Sequence, residues 1–334
     1  MDILTQGLLG GVLAQSVSKK EEIKLATLIG VIAGLLADVD IFIYSSNDPL
    51  LNIEFHRHFT HSLFFIPFGA AIAAALLWPF LKNRLHVHRL YLYSLLGYCM
   101  SGLIDACTSY GTHLLWPFSD DRIAFNIISI IDPVFTLILL ISLLYSLRVK
   151  RQRIAHIGLV VAAIYMLLGF VQLQRATSLA EDLIALRGHH VTKSLVKPTL
   201  GNLVLWRSVY IHQERIYVDA IRVGMFANNK IFEGESVEKL SIEKHLPLLD
   251  KASVLYNDIQ RFTLFSDNYV AIDPTKHNVI GDIRYSMLPT SRKPLWGIVI
   301  NEDAPQVHAD YQFFRDSSKQ VREKFIEMLM LNEK

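Results

Sequence analysis

The first half of the chain consists of long apolar runs separated by short polar connections. Five of these runs approach the roughly 20 residues that a helix needs to cross the hydrocarbon core of a bilayer. They cover residues 25–44, 62–81, 90–107, 126–147 and 154–172. A sixth run, residues 3–17, is shorter and glycine-rich, which fits a short span, a re-entrant helix or an interfacial helix. The pattern predicts a membrane all-α bundle of five to six spans over residues 1–173.

After about residue 175 the pattern changes. Residues 174–194 are typical of a linker or amphipathic helix, because apolar residues recur at every third or fourth position. The stretches that follow alternate in polarity and are rich in Val, Ile, Tyr and Trp, which is typical of strands. The last apolar-periodic stretch predicts a terminal helix. We therefore expect residues 195–334 to form a small β-rich (α+β) domain with a C-terminal helix.

Basic residues occupy alternate connections between the apolar runs. "KKEEIK" (19–24), "KNRLHVHR" (82–89) and "RVKRQR" (148–153) carry most of them, whereas residues 45–61 and 108–125 contain one arginine each. By the positive-inside rule the three basic connections are cytoplasmic. The two other loops and the strand-rich domain are then predicted to face outward, so that domain is expected to be extracytoplasmic.

The composition of the 334 residues also indicates that hydrophobicity differs along the chain, since it is high for a soluble protein but modest for an all-membrane one. Hydrophobic residues make up 51%, charged residues 19%, and the mean hydropathy is +0.31. A formal net charge of +2 is too small to indicate a polyanion partner, so no nucleic-acid contact is expected. The two cysteines, Cys99 and Cys107, share one apolar run and are interpreted as buried free thiols. We expect no cleaved signal peptide.

Four acidic residues interrupt the apolar runs. They are Asp38, Asp40, Asp105 and Asp132. Charged groups inside spans are costly and are functional candidates by default. On the predicted topology all four lie near the outer ends of their spans, and so does the stretch "EFHRHFTHS" (54–62). Imidazoles and carboxylates together are the usual ligands of zinc and related divalent ions, so a metal site is predicted at this depth.

The spacing of the polar residues refines this prediction. His58 and His61 are three residues apart and share a face on a helical turn. Asp105 and Thr108 have the same spacing, at the entrance to the loop that contains His113. These positions are candidates for one shared site.

Asp38 and Asp40 are only two residues apart, which sends them to opposite sides of an ideal helix. One of them is then expected to be a ligand, while the other orients a histidine where the helix ends or unwinds. Simpler interpretations remain: a carboxylate at a span end reaches water or pairs with Arg57, and Asp132, directly before Pro133, caps a helix.

Several motifs carry a resemblance to a known family. They are "MDILTQGLLGG", "ADVD", "HRHFTHS" and "LIDACTSYGTHLLWPFSDDR" followed by "DP". Together they resemble the YdjM/YbcI-type membrane-bound, predicted metal-dependent hydrolases, also described as LexA-binding inner-membrane-associated hydrolases. The resemblance covers residues 1 to about 140 closely. The later "NLVLWR", "GDIRYS" and "LWGIVI" are similar to the tail of longer members.

Carried over by position, the resemblance implies a set of site residues. They are Asp38, Asp40, His56, Arg57, Thr60, His61, Asp105, Thr108 and His113, with Asp2, Thr5 and Asp132 as weaker candidates. The chain departs from the family at one position, since Gln6 stands where the family opening "MDxxTH" has histidine. An amide oxygen is a poorer zinc ligand than an imidazole, so a ligand is missing or the metal differs. The resemblance also implies a multi-pass protein of the bacterial inner (plasma) membrane.

The leading hypothesis is an integral-membrane metal-dependent hydrolase that acts at the outer membrane face on a phosphoester or lipid-like ester. A divalent ion, zinc first with manganese or magnesium as alternatives, would activate water. The candidate metal ligands are Asp40, His58, His61, Asp105 and His113. Arg57 is the candidate clamp for substrate charge, and His56 or Asp38 is the candidate base or ligand-orienting group. The expected partners are the lipid bilayer and a membrane-associated, amphiphilic substrate.

Two hypotheses from other classes stay open. One is a non-enzymatic membrane protein with a structural metal or polar cluster and a partner-binding outer domain. The other is a transporter or proton relay, which is less favoured because the inner halves of the spans lack polar residues. No GxSxG elbow, phosphate-cradling glycine loop or dinucleotide fingerprint occurs in the sequence.

Overall fold

The computed structural model describes residues 1–225 and 228–331, which divide into two units. The first unit comprises Met1–Ile43, Phe55–Val171 and Leu200–Leu203. The second comprises Tyr44–Glu54, Gln172–Thr199 and the described residues of Val204–Lys334. The polar segment that precedes "HRHFTH" therefore belongs to the second unit, while "HRHFTH" itself belongs to the first.

Helices account for most of the chain up to Leu186. The α-helices are α1 Ile3–Ser16, α2 Ile23–Leu36, α3 Leu51–Phe55, α4 Ile66–Leu81, α5 Val87–Tyr98, α6 Ser101–Ala106, α7 Pro133–Val149 and α8 Gln152–Leu186. Two 3-10 helices, Ala37–Phe42 and Phe59–His61, stand between them. The first follows α2 directly, and the second lies within "HRHFTH".

Glycines allow α1, α2 and α5 to pack with their backbones in contact. A Cβ added to Gly10 on α1 would lie 2.4 Å from the carbonyl oxygen of Gly30 on α2. A Cβ on Gly97 of α5 would lie 2.5 Å from that same oxygen. Small residues at helix contacts are typical of membrane proteins, because close packing takes over from the hydrophobic effect as the driving force.

The expected five to six spans are not supported by the described helices. Two segments are long and apolar enough to cross a membrane, Ile23–Phe42 and Gln152–Leu186. A third is added if Leu51–His61 and Ile66–Leu81, which meet at an angle of 90°, are counted as one broken span. A helical membrane region is therefore confirmed only in this coarser form.

The other predicted spans are not supported because their apolar runs do not form single helices of sufficient length. The run 90–107 breaks between α5 and α6, which have 12 and 6 residues. In the run 126–147 the helix begins only at Pro133. Proline is favourable at the first helical position, and it prevents the helix from extending further towards the N-terminus. The resulting α7 has 17 residues, and α1 has 14.

The second unit is rich in antiparallel strands, as predicted. One sheet contains β1 Lys193–Pro198, β2 Leu205–His212, β3 Arg215–Arg222, β4 Lys230–Phe232 and β5 Ser236–Glu238. Its order is β1-β2-β3-β4, with β5 also paired to β3. The other sheet, in the order β6-β7-β8-β9, contains β6 Val270–Ile272, β7 Val279–Asp282, β8 Trp296–Val299 and β9 Asp310–Phe313. The helices of this unit are α9 Ile242–His245, α10 Val254–Phe265 and the predicted terminal helix, α11 Lys319–Met330.

A buried arginine ties the first sheet to the chain that follows β7. Arg207 on β2 is 2% exposed. Its guanidinium donates hydrogen bonds to the carbonyl oxygens of Ile283, Leu288, Pro289 and Ser291, at 2.6 to 3.2 Å. Burial lowers the pKa of Arg207 to about 9. A charge held by four carbonyl dipoles in this way is compensated without a carboxylate partner.

Candidate metal centre

The end of α2 supplies two acidic residues of the site. At Ala37 the α-helix tightens into the 3-10 helix Ala37–Phe42, which carries Asp38 and Asp40. The two carboxylates lie against opposite nitrogens of one imidazole. Asp38 Oδ1 is 3.3 Å from His61 Nε2, and Asp40 Oδ2 is 3.2 Å from His61 Nδ1.

Asp105 on α6 completes a group that can hold a metal ion. Its Oδ2 is 3.1 Å from His61 Nε2, on the same side of the ring as Asp38. One ligand atom each from Asp38, His61 and Asp105 lie within 4.8 Å of one another. The side chains of His61 and Asp105 are fully buried, whereas that of Asp38 is 12% exposed. Asp38 is therefore the side of the group nearest to solvent.

Asp40 is directed to the "HRHFTH" segment instead. Its Oδ2 accepts hydrogen bonds from the Arg57 backbone N–H at 2.7 Å and from Thr60 Oγ1 at 2.8 Å. Its Oδ1 is 3.0 Å from His56 Nδ1. Arg57 has a left-handed backbone, with φ at 62°, which is unfavourable for a residue other than glycine. The bond from the Arg57 N–H to Asp40 holds this turn and, with it, the ring of His61.

Three buried polar atoms in this cluster lack hydrogen-bond partners among the described residues. They are His61 Nε2, Gln6 Oε1 and Arg57 Nε. His61 Nε2 is close to two carboxylates, but without the geometry of a hydrogen bond. Gln6 Nε2 is 3.1 Å from Asp105 Oδ2 and 3.5 Å from Asp38 Oδ1. Rotation of the Gln6 amide by half a turn exchanges its oxygen and nitrogen, and would direct Oε1 to the same carboxylates.

This donor set fits a divalent cation. Two carboxylates, one imidazole and one amide oxygen are hard or borderline ligands of the kind found around zinc, manganese and magnesium. Buried polar atoms without partners are uncommon in folded proteins, and each requires an explanation. A cation among Asp38, His61, Asp105 and Gln6 would explain the missing partners of His61 Nε2 and Gln6 Oε1.

Arg57 is directed into the cluster. It is 4% exposed, and its Nε is 3.1 Å from Asp105 Oδ2 without the geometry of a hydrogen bond. Its Nη1 donates to Thr108 Oγ1 at 3.2 Å, and its Nη2 donates to the carbonyl oxygen of Met1 at 3.1 Å. The amino group of Met1 also contacts Asp105. The positive charges of Arg57 and Met1 thus face the carboxylate of Asp105.

The remaining predicted residues lie elsewhere in the first unit. His58 and His113 contact each other with tilted rings, their centroids 4.5 Å apart, outside the group of Asp38, His61 and Asp105. Asp132 caps α7 by accepting hydrogen bonds from the N–H groups of Val134 and Phe135.

Asp2 has an equivalent role at the start of α1. Its side chain accepts hydrogen bonds from the N–H of Thr5 and from Thr5 Oγ1. Thr5 Oγ1 is also 2.6 Å from Thr136 Oγ1 on α7. These two residues position the helix that carries Gln6, and none of the hydrogen bonds of Asp2 reaches His61.

Sequence reasoning missed several residues that shape the site. Gly102 lies directly against the backbone of His61, and the hydroxyl of Tyr98 donates to the carbonyl oxygen of Thr60 at 2.6 Å. Nothing in the local sequence marks them, because both contacts are made between distant segments. Arg122, whose Nη2 donates to the carbonyl oxygen of His56 at 3.4 Å, was visible only as the lone arginine of its loop.

A second group of possible metal ligands lies in the second unit. It consists of Asp48, Asp258 and His308. Arg261 pairs with Asp48 at 2.9 Å and with Asp258 at 3.1 Å, and it also pairs with Glu54 at 2.7 Å. A guanidinium therefore already pairs with these carboxylates, and we interpret the group as a structural ion-pair network.

Comparison with known proteins identifies the family of this site. The profile of the family described as YdjM inner membrane protein matches residues 1–176, which include the whole cluster around His61. The chain belongs to the YdjM family. It is therefore a membrane protein, in agreement with its two apolar segments of spanning length.

A curated relative is similar over a shorter stretch. The uncharacterized protein YfhP of Bacillus subtilis (strain 168) is 33% identical over 109 residues. The matched stretch covers 32% of this chain and 33% of YfhP, so the similarity extends over about a third of either protein. No solved structure matches the chain.

Proposed function

We propose that this protein is an integral-membrane metal-dependent hydrolase. It holds a divalent cation among Asp38, His61, Asp105 and Gln6 and cleaves a phosphoester or a related lipid-like ester. The observation that carries the proposal is the convergence on two carboxylates of two buried atoms that lack hydrogen bonds among the described residues, His61 Nε2 and Gln6 Oε1. A cluster built only for stability would be expected to satisfy those atoms internally.

The protein's own residues take distinct roles in this proposal. When bound, a divalent cation supplies Lewis acidity for ester polarisation and for water activation at neutral pH. Asp40 lies 3.2 Å from His61 Nδ1, which also contacts Thr60 Oγ1 at 3.0 Å, and these two residues hold the ring so that Nε2 faces Asp38 and Asp105. Arg57 balances the charge of Asp105.

His56 is the group we assign to proton transfer. Its Nδ1 is bonded to Asp40, which fixes the ring, and its side chain is 24% exposed. The imidazole thus has one nitrogen held by a buried carboxylate and an edge that reaches solvent. Such a ring can exchange a proton at Nε2 between a reacting group and bulk water.

The membrane setting supports an amphiphilic substrate. Asp38 and Asp40 lie near the end of the apolar segment Ile23–Phe42, which would place the cluster close to the headgroup level of a bilayer. The alternation of basic connections favours the outer face of the inner membrane, a multi-pass topology and an extracytoplasmic C-terminal domain. The lipid bilayer and its own esters are then the nearest partners.

The test is hydrolysis by the detergent-purified full chain. The protein is stripped with chelator, reloaded with zinc, manganese or magnesium, and offered p-nitrophenyl phosphate, bis(p-nitrophenyl) phosphate and short-chain phosphatidic acid. Activity that returns with one metal, and that is lost in Asp38→Asn but kept in the exposed control Asp121→Asn, supports the proposal. Absence of turnover on all substrates with metal bound would contradict the hydrolase assignment.

One observation favours a second function, a structural metal in a non-enzymatic membrane protein. The side chains of Asp40, His61 and Asp105 are all fully buried, and closed sites are typical of structural metals. In that case metal removal would lower the melting temperature, whereas Asp38→Asn and wild type would be equally inactive. The same experiment therefore separates the two functions.

A further inference from the structure

Two loops bring a second pair of histidines together beside the metal cluster. His58 follows Arg57 directly, and His113 lies in the "YGTH" loop. The carbonyl oxygen of Arg57 accepts hydrogen bonds from the N–H of His113 at 3.1 Å and from Thr112 Oγ1 at 3.0 Å. These bonds fasten one loop to the other, and the rings of His58 and His113 contact each other at a tilt of 44°, with centroids 4.5 Å apart.

Each imidazole of this pair has a buried nitrogen that forms no hydrogen bond with the described residues. Nδ1 of His58 and Nδ1 of His113 both lack hydrogen-bond partners among the described residues. Leaving a buried polar atom unsatisfied is destabilising, because the atom loses its hydration without gaining a partner. Two such atoms on adjacent rings point to a ligand that the loops are shaped to receive.

Two charged groups lie next to this pair, the guanidinium of Arg122 and the carboxylate of Asp120. Arg122 lies in the same loop as His113, with its guanidinium 5.1 Å from the ring centroid of Tyr110. Burial, and then the positive charge of Arg122, lowers the pKa of His113 to about 4 against the opposing effect of Asp120. An imidazole can donate from Nδ1, and the stronger influence of Arg122 favours an acceptor with negative charge as the ligand.

The apolar surroundings strengthen the preference for an anionic ligand. Trp116 lies 5.9 Å from the ring of His58 and 6.0 Å from that of Phe59, measured between ring centroids. Aromatic walls reduce the local dielectric, so a charged ligand gains more from Arg122 there than it would in water. Arg57 is not expected to bind this anion, because its guanidinium already contacts Asp105, Thr108 and Met1.

We propose that His58, His113 and Arg122 form an anion subsite that binds the phosphate oxygens of the substrate. This rests on the proposed function, since it places the phosphate of the hydrolysed ester next to the cluster around His61. Guanidinium and imidazole N–H groups are strong donors to phosphate. A second metal is not favoured here, since no group of three possible ligands among residues 1–225 and 228–331 contains either histidine.

The experiment measures binding of inorganic phosphate to the detergent-purified full chain by isothermal titration calorimetry. Wild type is compared with Arg122→Gln and His113→Phe, and the metal content of each sample is determined in parallel. The matched controls are Arg84→Gln and His88→Phe, two exposed residues in the turn before α5 and in the first turn of α5. Arg122→Lys tests whether charge alone is sufficient, and thermal melts verify that each variant is folded.

We expect Arg122→Gln and His113→Phe to weaken phosphate binding about tenfold or more, with metal content unchanged. Phosphate affinity that stays at the wild-type value in both variants, or an absence of phosphate binding by wild type, would overturn the subsite. If Asp105→Asn loses metal but still binds phosphate, the two sites are separate. If wild type contains no metal yet binds phosphate through Arg122, the subsite stands and the hydrolase proposal fails.

The same titration with short-chain phosphatidic acid identifies the source of the phosphate. Tighter binding of the lipid than of inorganic phosphate, with the same dependence on Arg122, indicates a lipid headgroup. Equal affinities indicate that the phosphate group alone is recognised. Lipid binding that is insensitive to Arg122 and His113 would contradict the subsite.

Discussion

Gly102 and His61 are in backbone contact: a Cβ added to Gly102 would lie 1.8 Å from the carbonyl oxygen of His61. The contact joins α6, which carries Asp105, to the 3-10 helix Phe59–His61. Asp105 and His61 can face each other at 3.1 Å only because α6 approaches so closely. The geometry of the metal centre therefore depends on a residue that offers no ligand.

Gly102→Ala should separate Asp105 from His61 and weaken metal binding. The added methyl group meets backbone rather than a flexible side chain, so the helix itself must move, at a cost of about 1 to 3 kcal/mol in stability. Metal content and melting temperature are the measurements. Gly7→Ala is the control, because its Cβ would meet the movable side chain of Leu35 at 3.1 Å. Equal metal content in Gly102→Ala and Gly7→Ala would show that the contact does not position the site.

Gln6→Ala should lower metal affinity about tenfold or more, because it removes the proposed amide ligand. Gln6→His should restore binding and favour zinc, since imidazole is the better ligand for that ion. Competition with a chromophoric chelator measures both affinities. Gln15→Ala serves as control on the same helix, since Gln15 is equally buried but bonds to Thr27 and Leu143. Unchanged affinity in Gln6→Ala would exclude the amide as a ligand.

Asp40→Asn should reduce metal affinity roughly 10- to 100-fold without abolishing it, as is typical for groups that orient a ligating histidine. The amide cannot accept equally from the Arg57 N–H, Thr60 and the ring of His61. Asp105→Asn, by contrast, removes a ligand and should abolish binding. The order of the two affinities, measured by metal titration, decides the assignment. Stronger impairment in Asp40→Asn than in Asp105→Asn would reverse the two roles.

Arg261 should make the second unit sensitive to acid. Burial raises the pKa of Asp48, but the hydrogen bond and charge of Arg261 outweigh it and bring that pKa below its usual value. With the folded pKa below the unfolded one, the stabilisation is complete above the unfolded value of about 4 and is lost as the pH falls through the folded value. Arg261→Met should therefore lower stability by about 1 to 3 kcal/mol at pH 7 and less in acid.

Thermal unfolding of the detergent-purified chain at pH 7 and near pH 3 tests this prediction. Arg292→Met is the control, since Arg292 is 3.8 Å from Glu235 in a more exposed pair that should contribute little. A difference between wild type and Arg261→Met that stays constant with pH would show that Asp48 is not the coupled group.

The strand-rich second unit was predictable because alternation of polarity is a local property of the sequence. The predicted number of five to six spans is not supported by the described helices, since the length of an apolar run does not reveal where a helix breaks. In the run 90–107 the chain breaks after α5, and α6 then lies against His61. In the run 126–147 the helix begins only at Pro133. The polar candidate residues of the site therefore indicate the positions of these helix breaks better than the apolar residues do.

The candidate site was predictable in its chemistry but not in its arrangement. The two-residue spacing of Asp38 and Asp40 indicated different purposes for the two carboxylates, while their placement on opposite nitrogens of His61 depends on the turn around Arg57. The proposed contributions of Gln6 and Arg122 come from contacts between segments far apart in the chain, which no local pattern encodes.

Metal content of the purified protein tests the central claim most directly. Wild type, His61→Gln and Asp132→Asn are purified in detergent, incubated with zinc or manganese, desalted and measured by elemental analysis. Asp132→Asn is the matched control, because Asp132 is equally buried but caps α7 instead of facing His61. The account predicts about one ion per chain in wild type and in Asp132→Asn, and none in His61→Gln. Wild-type protein that binds neither metal, or His61→Gln that retains it, would contradict the account.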